Sequence, residues 1–530
     1  MKKIAIILAA ATLGLGSCSD SFLDLSNPSA LSPSTFPKKM GDLEMFVNTC
    51  YSLVGHYELY GAELMVKGPF ITDHTGDMAW QSDDSWNQLA RNEIDPSNGM
   101  IQNIWYGYYR VINAANTLLE EVERFNKEGL VQTDLDRISQ MRGEALFWRG
   151  WAHQQLVQLW GEGYPCNGDG DKQGVPIRLK AVNAPEGLNI ARSTVNEVYA
   201  QVIKDYQEAA TLLPDKWDDR ADAPRPTKYA AESFIGQAYL FMGQNDEAKA
   251  ALKDVIDHSG KRLLPFNDYK NMFNDHQTKF NDESILELNF KASSATGWGN
   301  QASGGECQSH CKFTAACYIN AQGTSVGGGW SNVFFHDGNI KRFGSDPRLA
   351  VAALEPGTPI VSGGVSTVVG KYIDSGDSKG WTIAKYNPVS FVPNDVSYAV
   401  GINMYLMRLA EVYLLYAEAC QASGDDQTAR EYLNKVHRRA YSERTDHDIT
   451  ASGDQLRDAI REERFMELCG EGIQHWVDVC RWKTLDKEIA TWYPATTVGK
   501  PHYDAKDLYY PIPKKEMEDN TEMTQSEGYK

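Results

Sequence analysis

The sequence lacks three motifs by which common enzyme classes are recognised. It contains no Walker loop, no Gly-Xaa-Gly-Xaa-Xaa-Gly fingerprint and no His-Glu-Xaa-Xaa-His motif. Each motif supplies one kind of chemistry, namely a phosphate cradle, a dinucleotide-binding turn, or a pair of zinc ligands on one helix face. Their absence argues against P-loop, Rossmann and zincin enzymes, and we expect no cofactor and no metal.

Basic charge and long apolar runs are also scarce. Asp and Glu number 71 against 52 Lys and Arg, which gives a formal charge of -19. Because an acidic surface repels phosphate backbones, nucleic acid is not an expected partner, and the ligand should be neutral or cationic. After residue 17 no run of 18 apolar residues occurs, so no membrane-spanning helix is expected there.

The strongly apolar segment at the start of the chain has the form of a lipoprotein export signal. Two lysines precede an apolar run, residues 4–15, and Leu15-Gly16-Ser17-Cys18 follows. The run is shorter than the about 20 apolar residues that span a bilayer. We therefore expect residues 1–17 to be removed and Cys18 to be lipidated, which anchors the protein outside the cytoplasm. A secreted protein cleaved near residues 9–11 is the alternative, but these alanines lie too early in the apolar run.

Six of the other eight cysteines fall into two groups. Cys420, Cys469 and Cys480 lie within helical patterns and are expected to be buried, unpaired thiols. A second group stands in a Gly-rich loop and comprises Cys307, Cys311 and Cys317, with His310 among them. A disulfide with one spare thiol is favoured over a zinc site, because the cell exterior permits disulfides and four mixed ligands in one loop are a weak metal signal.

Apolar residues recur at helical intervals over much of the chain, which predicts a mainly α-helical protein. The predicted helices include residues 42–53, 105–125, 138–159 and 194–213. Most aromatic residues in such helices are expected to lie in the core, namely Trp105, Tyr108, Trp148, Trp151, Trp160, Trp476 and Trp482. Residues 19–40, rich in Ser, Pro and Leu, have no helical period and are expected to form an extended arm.

A degenerate repeat indicates tetratricopeptide-like helix pairs. Five positions recur with one spacing in two places: Ala238, Gly243, Ala248, Leu252 and Val255, and then Ala419, Gly424, Ala429, Leu433 and Val436. In each copy a helix ends at a Gly-containing turn, and a second helix starts with Ala where two helices approach closely. We expect at least two such units.

Residues 280–400 break the helical pattern. They are dense in Gly, Ser, Asn and aromatic residues, as in 297–300 and 327–332. A loop-rich stretch this long within a compact domain is normally functional or disordered, and its aromatic content argues against disorder. A shorter loop-rich stretch covers residues 61–99.

Four motifs, taken in order, resemble those of the SusD/RagB family, the surface lipoproteins of glycan uptake systems. They are Arg142-Gly143-Glu144-Ala145 within residues 141–165, Arg408-Leu409-Ala410-Glu411 within residues 408–419, Arg461-Glu462-Glu463-Arg464 within residues 460–482, and Tyr510-Pro511-Ile512-Pro513. The start at Cys18-Ser19-Asp20 fits the same family. Gln474 departs from it, since Arg is usual at this point of the third motif, but the departure does not bear on function.

The resemblance implies a fold, a partner and a division of the chain. The fold is an all-helical tetratricopeptide scaffold with an irregular half that carries the ligand site, and the partner is a SusC-like TonB-dependent barrel over which the lipoprotein forms a lid. The expected regions are a signal peptide at 1–17, a lipidated arm at 18–40, a helical region at 41–279 with a ligand loop at 61–99, an irregular ligand-binding region at 280–400, and C-terminal tetratricopeptide-like helices at 401–530.

A glycan site needs aromatic platforms for the C–H face of a sugar and amide or acidic side chains for its hydroxyls. The candidates with this composition are Asp77, Trp80, Gln81, Trp86 and Asn87 in the first loop, and Trp298, Asn300, Tyr318, Trp330 and Asn332 in the second. For any single aromatic residue the alternative is a structural plug that fixes a loop to the scaffold.

The acidic run from Glu462 to Glu471 invites a comparison with glycosidases. Their chemistry needs two carboxyl groups across a cleft, normally from different elements. These acids instead share one helix with Arg461 and Arg464 at salt-bridging intervals, which favours a structural ion-pair network. The favoured function is thus a non-enzymatic, outer-membrane glycan binder. A peptide-binding protein of the RagB type and a helical glycoside hydrolase are the alternatives.

Overall fold

The computed structural model describes most of the chain after the predicted arm. The described residues are 36–62, 64, 74–76, 85–183, 187–291, 311, 314–362, 365–371, 379–390, 394–395, 400–493 and 501–530. The predicted signal peptide, Cys18 and nearly all of the predicted arm lie outside these residues.

The protein is mainly helical, as predicted. The helices are α1 (Met40–Val54), α2 (Ser85–Arg91), α3 (Gly99–Arg124), α4 (Gln132–Trp160), α5 (Val195–Leu212), α6 (Lys228–Phe241), α7 (Asn245–His258), α8 (Phe266–Tyr269), α9 (Asp337–Phe343), α10 (Leu349–Ala352), α11 (Leu409–Ala422), α12 (Asp426–Ala440), α13 (Gly453–Leu468), α14 (Gln474–Arg481), α15 (Leu485–Trp492) and α16 (Lys514–Asp519). Within the described ranges, no helix combines the length and the apolar character that crossing a membrane requires.

Capping side chains decide where the long helices begin. The predicted start of α3 at Trp105 is wrong, because the Asn98 carboxamide accepts hydrogen bonds from Met100 N and Ile101 N and so starts the helix at Gly99. At α5, Thr194 and Glu197 form a reciprocal capping box, and the predicted helix agrees with the structure to within one residue.

The tetratricopeptide-like units are confirmed. α6 and α7 form one helix pair, and α11 and α12 form the other. The turn residues Gly243 and Gly424 have φ angles of +76° and +82°, a conformation that residues with a Cβ rarely adopt. α7 also packs on α11, so the two units stack directly although the irregular region separates them in sequence.

Short strands occupy the region between the two units, and one further strand, β1, precedes the first unit. They are β1 (His74–Gly76), β2 (Ser284–Leu288), β3 (Cys317–Ile319), β4 (Ser325–Gly328), β5 (Val333–Phe335), β6 (Ala353–Leu354), β7 (Pro359–Ser362), β8 (Val365–Val369), β9 (Trp381–Ile383), β10 (Asn394–Asp395) and β11 (Met404–Arg408). One sheet has the order β1-β5-β9-β6, and a second has the order β10-β4-β3-β8-β7. The antiparallel pair of β2 and β11 stands apart, with Leu288 opposite Met404 and Ser284 opposite Arg408.

The main core is aromatic, as predicted. Six of the seven helical aromatics expected in the core are at most 1% exposed: Trp105, Tyr108, Trp148, Trp151, Trp160 and Trp476. Trp482 differs, because it is only partly buried and its indole N–H donates to Glu418 at 2.9 Å. Edge-to-face contacts such as Trp105 of α3 on Trp160 of α4, with ring centroids 5.1 Å apart, join neighbouring helices.

The acids of α13 form a buried ion-pair network, as predicted, but the expected partners on the same helix are wrong. Arg408 binds Glu467 at 2.6 Å and Glu283 at 2.9 Å, and Arg439 pairs with both of these acids. Glu463 pairs with Arg348 at 2.6 Å. These arginines come from other elements. Their charges and hydrogen bonds offset the free-energy cost of withdrawing the carboxylates from water.

Candidate functional site

The structure brings the two predicted ligand segments together. β1 belongs to the first loop-rich stretch and β5 to the second, and the two strands pair antiparallel with Gly76 opposite Val333 and His74 opposite Phe335. Asp77 follows Gly76 in the chain, and Asn332 precedes Val333. The strand pair therefore joins the chain next to one candidate residue, Asp77, to the chain next to another, Asn332.

The segment that carries Trp330 and Asn332 is fixed by backbone hydrogen bonds. Ser331 N donates to Ala315 O at 3.1 Å, and the Ser331 hydroxyl accepts from Cys317 N at 2.8 Å. Gly328 allows the close approach, since a Cβ at this position would lie 2.2 Å from Ala316 O. The Gly-rich sequence here thus serves tight packing, which preorganises the side chains that follow.

Asn332 is the most distinctive polar candidate that the structure describes. It is 4% exposed, and among the described residues its side-chain Oδ1 has no hydrogen-bond donor. A buried amide oxygen without a donor costs about 1–3 kcal/mol, so a ligand hydroxyl that donates to it would gain free energy. Trp330 lies two residues earlier, is partly buried and packs against the main core.

Trp381 is a residue that the sequence reasoning missed. It lies on β9 opposite Phe335, is partly buried, and its indole N–H has no acceptor among the described residues. The signal that could have found it is the dipeptide Gly380-Trp381, which repeats the Gly-Trp pattern of Trp298 and Trp330. An indole whose ring is partly exposed is suited to stacking on the face of a sugar.

Trp86 and Tyr318 are buried. Trp86 is 7% exposed within the main core, and Tyr318 is 1% exposed with its hydroxyl donating to Pro388 O at 3.3 Å. Neither ring presents a face to solvent in this structure, and the physical reason is that each fills apolar space beneath the loops. Their placement favours the structural role, in which an aromatic residue fixes a loop to the scaffold.

The remaining candidates are placed only by sequence. Asn87 lies in α2, but its side chain is not described. The others lie outside the described residues and stay predictions: Asp77, Trp80, Gln81, Trp298, Asn300 and the lipidation site Cys18.

The other end of β5 carries little positive charge. His336 follows the strand, is 2% exposed, and stacks on Tyr493 with ring centroids 4.2 Å apart. Burial lowers the pKa of His336 to about 4, so its imidazole is neutral at pH 7. The carboxylate of Asp337 accepts a hydrogen bond from Lys379 N at 3.0 Å.

The cysteines of the irregular region do not form the expected disulfide with each other where the structure describes them. The thiol of Cys311 donates to Tyr386 O at 3.5 Å, and Cys317 is a free thiol. Cys307 and His310 lie outside the described residues. Across the part of the chain that is described, no group of three His, Cys, Asp or Glu side chains is arranged to hold a metal. Cys420, Cys469 and Cys480 are buried, as predicted, and Cys420 and Cys480 are free thiols.

Ser325 has the spacing of a nucleophile elbow, Gly323-Thr324-Ser325-Val326-Gly327. In such elbows the serine lies at a sharp turn from a strand into a helix. Ser325 instead opens β4, and β5 follows before any helix. This serine therefore does not occupy an elbow. A second pentapeptide of this spacing, residues 376–380, lies mostly outside the described residues.

Two models of one family match the chain. A model described as "Starch-binding associating with outer membrane" matches residues 21–240, and the SusD family model matches residues 377–529. A tetratricopeptide repeat model matches residues 234–257. The matches cover both sides of the irregular region.

Full-length relatives and solved structures agree with these models. SusD-like protein P2 of Formosa agariphila is 27% identical over 551 residues, which cover 100% of both chains. A SusD-like protein of Bacteroides ovatus is 24% identical over 91% of this chain and 83% of its own. A laminarin-binding SusD-like protein has a TM-score of 0.73 at 23% identity, covering 93% of this chain and 100% of that one. A SusD-like protein of Bacteroides fragilis has a TM-score of 0.74 at 19% identity, covering 94% and 99%.

The protein has a tetratricopeptide-like scaffold with a strand-and-loop region between its two stacked units. SusD-like proteins share this fold. The chain belongs to the SusD family, as its four sequence motifs indicated. The family model's description associates this family with the outer membrane.

Proposed function

We propose that this chain is an outer-membrane lipoprotein that binds a glycan outside the cell and passes it to a SusC-like TonB-dependent barrel. Lipidation at Cys18 provides the anchor in this proposal, and the acidic residue Asp20 beside it fits display on the exterior. Binding occurs without cleavage of the glycan.

The observation that carries the binding role is the register of β1 and β5. It places Gly76, the residue before the candidate Asp77 in the chain, opposite Val333, the residue after Asn332. Trp330 precedes Asn332 by two residues, and Trp381 lies on the next strand across β5. Aromatic rings and hydrogen-bonding side chains grouped on a preorganised sheet meet the needs of a carbohydrate ligand.

The charge state of Glu463 and Glu467, two of the acids that invited the comparison with glycosidases, supports binding without hydrolysis. A glycosidase needs a carboxylic acid whose pKa is raised and a second carboxylate across a cleft. Glu463 and Glu467 are buried, and although burial raises the pKa of a carboxyl group, the surrounding arginines hold both pKa values below the usual range. Acids held ionised inside an ion-pair network are unsuited to proton donation.

The handover role depends on the family resemblance. A barrel partner explains why a glycan binder without catalytic groups would be anchored at the outer membrane, since capture alone does not move a ligand across it.

Affinity gels with the soluble chain from Ser19 test the binding role. Starch, laminarin, xylan and mannan are cast into native gels, and we expect at least one of them to retard the protein by a visible shift. The same mixtures should release no reducing ends. Retardation by none of a broad panel, together with binding to a peptide library, would contradict the glycan assignment. Release of reducing ends that disappears on mutation of a single acid would instead identify a hydrolase.

A further inference from the structure

A large groove lies in the helical half of the protein. It is formed by elements other than the strands of the candidate glycan site. α3 forms its floor, α1 forms one wall, a segment around residues 178–188 forms the other, and α16 closes one end. Its volume is about 970 Å³, and it is lined mainly by apolar atoms. The apolar lining consists of Phe46, Leu53, Tyr106, Tyr109, Ala114 and Leu188.

The cationic side chains in the groove already have hydrogen-bonding or ion-pair partners. Arg110 binds Glu58 at 2.7 Å, and Lys515 pairs with Asp519 one turn along α16. Arg178 donates to the backbone carbonyl of Gly187 at 2.8 Å. With its cations already engaged, the groove offers no strong attraction to an anion, so an uncharged apolar occupant fits it best.

The described chain begins at the edge of this groove. The ring of Phe36 contacts that of Phe46, with centroids 5.5 Å apart, and Phe46 also lines the groove. Arg124 at the end of α3 donates to Phe36 O at 2.7 Å. The chain that precedes Phe36 therefore starts from a point between α1 and α3, beside the groove.

The preceding segment has the length to cover the groove. The floor from Gln102 to Thr117 spans about 22 Å at 1.5 Å per residue. An extended segment covers this distance with about seven residues at roughly 3.3 Å each. Residues 19–35 are more than twice that number.

The segment also has the matching chemistry. It carries four large apolar side chains, namely Phe22, Leu23, Leu25 and Leu31. Pro28 and Pro33 disfavour a helix and favour extended backbone. We propose that residues 19–35 lie along this groove in extended form, with the apolar side chains of Phe22, Leu23, Leu25 and Leu31 packed against α1 and α3.

Docking would set the distance between the body and the membrane. A free arm from Cys18 to Phe36 could reach about 60 Å. A docked arm instead holds Cys18 at the end of the docked segment, close to the body. This consequence for the membrane depends on the proposed lipid anchor, whereas docking itself does not.

The test uses the unlipidated chain from Ser19 without glycan, so its outcome is independent of the proposed function. In one variant Phe22→Asp, Leu23→Asp and Leu25→Asp are combined. Its control places the same three charges at polar positions of the arm, as Ser21→Asp, Ser26→Asp and Ser29→Asp. A groove variant, Ala114→Glu on α3, is matched by Ala250→Glu at an exposed position of α7.

We expect amide exchange of residues 19–35 to be slowed at least about tenfold relative to a free peptide of the same sequence. The apolar-to-Asp variant and Ala114→Glu should each abolish this protection and lower the melting temperature, and combining them should lower it no further. Both controls should leave the protection intact.

Unprotected arm amides in the unmodified chain would overturn the proposal. Protection that survives Ala114→Glu, or melting shifts that add in full, would place the arm elsewhere and overturn it equally. Retention of the protein by an isolated barrel only when the arm is unprotected would assign the groove to the partner.

Discussion

Gly76 lies directly opposite Val333 across the pair of β1 and β5, and this register connects two loop-rich segments that are far apart in sequence. Because side chains that leave the same end of a strand pair start within a few ångströms of each other, the register concentrates candidate ligand groups at one place. The effects expected for substitutions at Trp330, Trp381 and Asn332 depend on that geometry.

Replacing Trp330, Trp381 or Asn332 singly by Ala should weaken binding of whichever polysaccharide retards the protein most. Loss of a stacking platform that is also a binding hot spot costs about 2 kcal/mol or more, and loss of a hydrogen bond to Asn332 costs about 1 kcal/mol. Isothermal titration calorimetry measures both. Trp80 and Trp298 belong in the same series, since each is a predicted platform.

Tyr318→Phe is the matched control for this series. It removes the hydroxyl that donates to Pro388 O while the ring keeps its buried position. Affinity should therefore stay unchanged, with at most a small fall in melting temperature. If Trp330→Ala, Trp381→Ala and Asn332→Ala all keep full affinity, the ligand site does not lie at the β1–β5 pair.

Trp148→Ala and Trp476→Ala should lower the melting temperature without a direct effect on binding. Both side chains are 0% exposed, and removal of a buried aromatic side chain costs roughly 3–5 kcal/mol. Thermal melts followed by circular dichroism measure the loss. Variants as stable as the unmodified protein would show that these rings are not part of the core.

Glu411→Gln should stabilise the protein more at pH 8 than at pH 5. Burial raises the pKa of Glu411 to about 7, although Arg464 opposes this rise. Because the pKa in the folded state lies above the usual 4.5, protonated Glu411 stabilises the protein fully below about pH 4.5. This stabilisation is lost as the pH rises through about 7. Glutamine stays neutral and avoids this loss, which is on the order of 2–3 kcal/mol. Melts at the two pH values measure it.

Glu418→Gln on the same helix is the opposing control. Burial raises the pKa of Glu418, but Arg481 outweighs it and lowers the pKa to about 2. The stabilisation is then present above about pH 4.5 and is lost as the pH falls through about 2. Replacing the Glu418 carboxylate should cost about 3 kcal/mol of stability at pH 8, because buried Arg481 loses its ion pair with Glu418 and retains its pair with Asp478. Equal pH dependence in both variants would contradict the two assignments.

Cys18→Ala should release the protein from the outer membrane. Lipid chains on this cysteine are the proposed anchor, and stable anchoring needs two or more such signals. Cell fractionation in a strain without the barrel partner measures the change. Continued fractionation of the variant with the outer membrane would show that another segment holds it there.

The helical frame was predictable because its signals are local. Ala238, Gly243 and Ala248 repeat as Ala419, Gly424 and Ala429, and such spacing follows directly from two packed helices. The partners of the buried acids were not predictable, since Glu467 binds Arg408 and Arg439 across long sequence separations.

The candidate site was predictable in composition but not in arrangement. Amide and aromatic residues in loops indicated the ligand chemistry, yet only strand pairing shows that the end of β1 adjoins Asn332. Burial of Tyr318 was equally hidden, because flanks of small and polar residues suit an exposed loop and a tightly packed sheet alike. Trp381 escaped notice because its β9 strand is only three residues long.

The pair of β2 and β11 holds together the two ends of the segment that carries most of the candidate ligand residues. Leu288 and Met404 lie opposite each other, so the long intervening segment leaves and rejoins the helical frame at neighbouring points. An insertion whose ends are clamped together can lengthen, shorten or be exchanged without moving the helices on either side. Residues 289–403 are thus a natural unit for transplantation between relatives, and a chimera that exchanges them at this clamp but keeps Arg348, the partner of Glu463, should fold and take on the donor's ligand preference.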